Sequence, residues 1–470
     1  RRKNACGALK LLSSKKQNRK KLCWTVGTLP ALTSVLDDVG PYGIETAFPD
    51  IRIRNEYDEA RKRTVQTLLN LAAEKENRIV MFHSPGLVQA LIRTIEEDMM
   101  DARQGACAVL AFFARTPENR TLMGKVPHLL DAISAVLNPD GDRKKILFKK
   151  SLPPTITRST DHTFPTEVGK YGSLGSNMSG GSGGEVSNLT RTFESSLGSK
   201  EDFKTESKDN NNGAKDNKED GIAPLSPKNH SYDDDPNECL NGARQNTFAL
   251  LMHLIKEKEN AFVFARHEEL IFTLVMVSKL QDSPSHAHAV VIMAHFTRHK
   301  ENSKWIVMRL RNVVPALVTA AQSPNDGSRK FACYALQNLS QDKSCRQEVA
   351  NTPELLVVVC ERARKSTDHA EKLSAISILQ NLTDDPGNLV PMTNTPQCFA
   401  TLIRIAHGQD SDTTEEMRYL ACDGLATLSH WFRKVATSAQ SMEHVTDEEP
   451  KSPRSLFVPS LKVVTWNQWE

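Results

Sequence analysis

The feature that most constrains this chain is a period. Asn77 and Asn119 lie 42 residues apart, Asn260 and Asn302 again 42, and Asn302, Cys345 and Asn388 follow at intervals of 43. Asn18 opens the series. Six residues before each of these slots stands a large apolar anchor: Leu12, Leu71, Phe113, Leu254, Phe296, Leu339 and Leu382, with an eighth copy at Leu428 that has Lys434 in its slot. Three residues before each anchor is another apolar side chain (Leu9, Leu68, Leu110, Leu251, Met293, Leu336, Leu379, Leu425). Seven before it is a small one (Ala5, Thr64, Ala106, Thr247, Ala289, Ala332, Ala375, Ala421). Offsets of three, four and seven share one face of a helix. Small residues at a fixed position let neighbouring helices approach closely. After each slot comes a second apolar pattern, opened by Pro30, Pro85, Pro127 or Pro315, and proline suits a first helical turn. A unit of two or three such helices cannot bury its apolar face alone, so stacked copies must share one core.

Two intervals break the period in an informative way. Asn18 to Asn77 spans 59 residues and Asn119 to Asn260 spans 141, which are 42 plus 17 and 42 plus 99. Both additions follow the same helix of their unit, so both are expected to leave the same edge of the array. The longer one holds SGGSGG and KDNNNGAKDNKED, a composition that cannot offset chain entropy and predicts disorder. The organisation expected is repeats 1–3 over 1–137 with a short insertion near 38–57, a disordered insertion over 138–238, repeats 4–8 over 239–437, and a flexible tail over 438–470.

The runs ALQNLS (335–340), ILQNLT (378–383) and LLNLA (68–72), with the 42-residue period, resemble the armadillo-repeat family. The resemblance implies an all-α, right-handed superhelical solenoid of about eight repeats whose third helices line a concave groove that holds an extended peptide. In that family an Asn just before the anchor clamps the peptide backbone. Here the position reads Leu11, Asn70, Phe112, His253, His295, Asn338, Asn381 and Thr427, so Asn70, Asn338 and Asn381 carry the match. Nuclear-import adaptors of the family add Trp four residues earlier; this chain has Gln66, Tyr334 and Ser377 there. The expected groove residues are therefore Asn70, Asn338, Asn381, Tyr334, Phe331, His253, His288 and His295.

Charge and composition narrow the function. Sixty Lys or Arg face 57 acids, a net +3, which argues against nucleic acid as the main partner. Residues 1–23 are the exception, with nine Lys or Arg and no acid. They support an alternative reading as a transport or nucleic-acid-linked adaptor. No apolar run is long enough to span a membrane. Nine cysteines without a CxxC pair suit a reducing compartment, cytoplasm or nucleus. The chain opens on Arg1 rather than Met, so a preceding segment is expected.

Catalytic chemistry finds little support. Cys6, Cys107, Cys333 and Cys422 recur at one offset, six before their anchors, and read as core filler. SGGSGG lacks the strand and helix context of a phosphate loop. His288, His295 and His299 are expected to share a helix face as a polar or pH-sensitive groove patch; the rise between His288 and His295, about 10.8 Å over two turns, is too long for one metal ion. The reading is a non-catalytic scaffold or adaptor without metal or cofactor that binds extended segments of other proteins. Outside the groove, RKKILFKK (143–150) resembles a kinase-docking segment, Ser226 and Ser452 fit a minimal proline-directed kinase site, and the Trp466/Trp469 tail is expected to cap the last repeat.

Overall fold

A computed structural model describes residues 1–37, 51–97, 100–138, 236–281 and 283–443. The described residues are helical. In chain order the helices are α1 (Arg2–Ser14); α2 (Lys16–Trp24), α3 (Thr28–Asp37) and α4 (Ile51–Ala72); α5 (Lys75–Phe82), α6 (Leu87–Glu97) and α7 (Met100–Ala114); and α8 (Pro117–Met123), α9 (Leu129–Leu137) and α10 (Pro236–Leu254). Next come α11 (Lys258–Phe264), α12 (Glu268–Ser278) and α13 (Ser285–Thr297), then α14 (Lys300–Arg309), α15 (Val313–Ala321) and α16 (Asp326–Gln341). The array closes with α17 (Arg346–Ala350), α18 (Leu355–Lys365) and α19 (His369–Thr383), then α20 (Leu389–Thr393), α21 (Gln397–Ala406) and α22 (Glu415–Glu443).

Each triplet stacks on the next along two continuous ladders. The third helices α1, α4, α7, α10, α13, α16, α19 and α22 pack in succession, and the second helices α3, α6, α9, α12, α15, α18 and α21 do the same. The protein is a helical repeat solenoid. Its array is unbroken where the chain is not: α7 packs against α10 although the residues between α9 and α10 lie outside the described set. Both long intervals leave after a second helix, α3 or α9, and re-enter at a third helix.

The anchors explain the core. Leu71, Phe113, Leu254, Phe296, Leu339 and Leu382 are fully buried, and Leu428 nearly so. Leu12 is 48 % exposed, since no described helix covers that side of α1. The small position is buried from Thr64 to Ala421. Where it is threonine rather than alanine, the hydroxyl donates back into its own helix, Thr64 to the Ala60 carbonyl and Thr247 to the Ala243 carbonyl, each at 2.8 Å. A buried hydroxyl is thereby satisfied without a partner helix.

The slot asparagine is the clip between repeats. Its Nδ2 donates to the anchor carbonyl six residues back: Asn77 to Leu71 (3.0 Å), Asn119 to Phe113 (3.2 Å), Asn260 to Leu254 (3.0 Å), Asn302 to Phe296 (3.2 Å) and Asn388 to Leu382 (3.1 Å). The same amide reaches the previous repeat, at the carbonyl one residue past its slot: Arg19, Arg78, Arg120, Ala261 and Arg346 in turn. In the Cys345 slot the thiol meets, among the described residues, the Ser344 hydroxyl at 3.9 Å.

The next residue completes the joint. Arg19, Arg78 and Arg120 each donate Nε and Nη2 to carbonyls at the end of the preceding third helix, and Arg346 donates Nε to the Ser340 carbonyl. These carbonyls have no partner within their helix, so the guanidinium supplies one. Three residues before the slot the backbone turns extended, at Lys15, Glu74, Thr116, Glu257, His299 and Asp385; the slot N–H bonds the carbonyl there except at Glu257, whose carbonyl accepts from the Ala261 N–H at 3.0 Å. With Lys434 in the slot the break is absent and α22 runs on to Glu443.

Candidate peptide-binding groove

The third helices present one position per repeat just ahead of the buried anchor, and the structure shows what each expected groove residue does there. Asn338 is half-buried on α16 and donates Nδ2 to Thr297 Oγ1 at 3.3 Å; Asn381 on α19 donates to Ser340 Oγ at 3.0 Å. Both acceptors belong to the residue after the anchor of the preceding repeat. Among the described residues, neither Oδ1 accepts a hydrogen bond. Asn70 on α4 starts the same way, with Nδ2 on Ser13 Oγ at 3.0 Å, but its Oδ1 accepts from Gln66 Nε2 at 3.4 Å. The three matching asparagines thus differ: two keep an amide oxygen available, and one spends it inside its own helix. Phe331 and Tyr334 are half-buried on α16 and pack against the core beside Asn338.

A recess of about 180 Å³ opens between α13 and α16, lined by Thr297, Arg298, Lys300, Ser303, Asn338, Gln341 and Asp342. It brings Asn338 together with two cations that the sequence reading had not connected to it.

The histidines require two corrections. First, His299 does not share a face with His288 and His295, because α13 ends at Thr297 and His299 caps α14. Second, the patch does not change charge near neutral pH. Burial is the largest cause at both buried rings: it pushes His253 down to about 3, aided by Lys256 and Arg115, and His295 down to about 4, aided by Arg298 and Lys256. His288 is also lowered by burial; its Nδ1 donates to the Pro284 carbonyl at 3.1 Å and its ring stacks on Phe248 with centroids 5.4 Å apart. His286 lies in the core, donating Nδ1 to the Ser278 carbonyl at 2.6 Å. Among the described residues no three His, Cys, Asp or Glu side chains are grouped to hold a metal ion.

Cys6, Cys107 and Cys333 are buried as filler, whereas Cys422 is exposed, contrary to expectation. The offset buries a thiol only when the next third helix covers it, and none follows α22 among the described residues. Arg143–Lys150, Ser226, Ser452, Trp466 and Trp469 lie outside the described residues. No described helix is long and apolar enough to cross a membrane.

The reading of the sequence missed two recurrent features. One is the Asn-Arg pair at 18–19, 77–78 and 119–120, legible as a repeated dipeptide. The other is a cation three residues after the groove position in three successive repeats: Arg115, Lys256 and Arg298.

No family model matches the chain, and no curated protein does. Among solved structures, an engineered protein is 14 % identical over 91 % of this chain and 95 % of its own, with a TM-score of 0.38. A structure describing a conserved phosphorylation switch in the interaction between cadherin and beta-catenin is 12 % identical over 90 % of this chain, with a TM-score of 0.48. UNC-45 from Drosophila melanogaster is 11 % identical over 91 % of this chain, with a TM-score of 0.45. This chain spans 58 % of the second chain and 49 % of the third. Identities this low carry no statement about activity.

Proposed function

We propose that this protein is a non-catalytic interaction scaffold, and that its groove holds an extended segment of another protein against Asn338 and Asn381. The observation that carries the reading is the repeated amide. In adjacent repeats the same side chain is fixed by the same kind of hydroxyl, Thr297 or Ser340, and keeps an unclaimed oxygen. An amide so held can accept a peptide N–H, and its second Nδ2 hydrogen can meet a peptide carbonyl. Fixing it in advance lowers the entropy lost on binding.

Each amide contributes roughly 0.5 to 1.5 kcal/mol net. Removing both therefore weakens binding by roughly 5- to 150-fold. Micromolar affinity corresponds to about 8 kcal/mol, so side-chain contacts from Phe331, Tyr334 and neighbouring repeats must supply the remainder. The test is a selection of peptides from a displayed random library on the folded chain, followed by titration of the best binder against Asn338→Ala/Asn381→Ala. Loss within that range with an unchanged circular dichroism spectrum supports the reading. Equal affinity for both proteins removes these two residues from the site.

A further inference from the structure

The joint between the last two repeats is built unlike the one before it. Cys360 on α18 and Cys398 on α21 are both fully buried, and their sulfurs lie 3.6 Å apart. The two helices are neighbours in the ladder of second helices. Thr401, also fully buried and one turn along α21 from Cys398, acts through its hydroxyl on Cys360. That hydroxyl meets no nitrogen or oxygen partner among the described residues. One repeat earlier, 43 residues back at each position, stand Leu317, Leu355 and Val358, all buried. Aliphatic side chains alone meet the packing demand there. Two thiols and a hydroxyl bury less apolar surface than two leucines and a valine, so core filling does not account for them.

The same joint is flanked by short elements. The first helices of the two repeats, α17 and α20, have 5 residues each, against 7 to 10 in α2, α5, α8, α11 and α14. Among the described residues the unit α20 to α22 has a neighbouring repeat on one side alone. A unit held from one side opens at lower free energy than an inner one. Such an opening lifts α21 from α18 and brings both sulfurs to solvent.

We propose that this pair is a modification site: hydrogen peroxide oxidises Cys360 and Cys398 to a disulfide that staples α18 to α21, and a thiol reductant reverses it. In the open joint one thiol gives its proton to water, and the thiolate attacks an oxygen of the peroxide. The S–O bond forms, the O–O bond breaks, and the departing hydroxide takes up a proton to leave as water. Reclosure brings the second sulfur back into contact. Its thiolate attacks the sulfenic sulfur, the S–S bond forms, the S–O bond breaks, and hydroxide leaves with a proton as a second water. The peroxide accepts two electrons in all, one from each sulfur. A disulfide holds its sulfurs about 2.05 Å apart, so side-chain rotation and a small helix shift must close about 1.5 Å. The two cysteines are 38 residues apart in sequence. Closing that loop restricts the opened chain, so the stapled joint opens less often. A dithiol of this kind stays reduced in a reducing compartment until oxidant rises.

The experiment uses the full chain, reduced and desalted, beside Cys422→Ser, which removes an exposed thiol. Each is titrated with hydrogen peroxide, blocked with iodoacetamide and digested without reductant for mass spectrometry. The main product expected in both is a disulfide-linked peptide pair containing Cys360 and Cys398, lost on adding dithiothreitol. Amide hydrogen exchange in α20, α21 and α22 is expected to slow at least about tenfold after oxidation, with α1 to α10 unchanged. Cys398→Ala is expected to give no linked pair and exchange that peroxide does not alter. Mapping the linkage on the unsubstituted chain keeps the test independent of whether that variant folds.

Three results would each overturn the proposal. One is reduced thiols at 360 and 398 after Cys422 is fully oxidised. Another is a linked pair that forms only in urea. The third is linkage of Cys360 or Cys398 to other cysteines in equal yield, which marks random pairing in an unfolded chain.

Discussion

Replacing Asn302 with alanine isolates the clip between repeats. Asn302 is fully buried, and its amide makes three contacts: Nδ2 to the Phe296 carbonyl at 3.2 Å, Nδ2 to the Ala261 carbonyl at 3.1 Å, and Oδ1 from Arg266 Nη1 at 2.7 Å. The Ala261 carbonyl keeps a second donor, the Ala265 N–H at 3.2 Å, so its loss is mild. The Phe296 carbonyl, near the end of α13, loses the one side-chain donor that reaches it across the turn. Arg266 loses an acceptor in a half-buried setting. Two neutral bonds at about 1 kcal/mol and one charge-assisted bond at about 1.5 kcal/mol place the cost near 2 to 4 kcal/mol. Asn338→Ala removes a single half-buried bond of 3.3 Å and should cost under about 1 kcal/mol. Urea unfolding by circular dichroism gives the difference, and native-state hydrogen exchange locates it. Repeats are coupled mainly to their neighbours, so amides of α11, α13 and α14 should lose protection before those of α1 or α22. If Asn302→Ala lies within about 0.5 kcal/mol of the parent, or matches Asn338→Ala, the clip is not what joins these repeats.

Three further outcomes follow from the same geometry. Unfolded histidine binds its proton near pH 6.5 while folded His253 is held down to about 3, so its contribution is present at pH 7 and lost as pH falls below 6.5. Between pH 7 and 5 that is about 2 kcal/mol, and His253→Gln should flatten this part of a stability–pH curve; an unchanged slope would contradict burial of a neutral ring. Glu354 sits at φ 62° in the turn before α18, where the equivalent turns before α3 and α6 use Gly27 and Gly86. Glu354→Gly should therefore raise stability by about 0.5 to 1 kcal/mol in a thermal melt, and a loss would refute strain at that turn. A Cβ at position 124 would collide with the Asn260 side chain, so Gly124→Ala should cost about 1 to 3 kcal/mol in urea unfolding; a neutral result would mean that clip relaxes freely.

The repeat was legible because its cause is local and periodic. Stacking demands a small residue, an apolar residue and an anchor at fixed offsets, so the third helices and their buried positions could be read from spacing alone. The slot asparagine was legible as a position but not as a clip, since its partners are backbone carbonyls in the previous repeat, which leave no side-chain signature. Cys422 was misplaced because an offset reports burial only where another helix follows. His299 was misplaced because helical periodicity was carried past a backbone break, although the fixed distance of that break from each slot marks it.

The most direct test of the scaffold account is hydrogen–deuterium exchange of the full chain with and without a peptide selected on it. The account predicts added protection on the groove faces of α16 and α19, extending to α13, with the first and second helices of the same repeats unchanged. Protection confined to those first and second helices, with α16 and α19 unaltered, would contradict it and place the binding surface on another face of the solenoid.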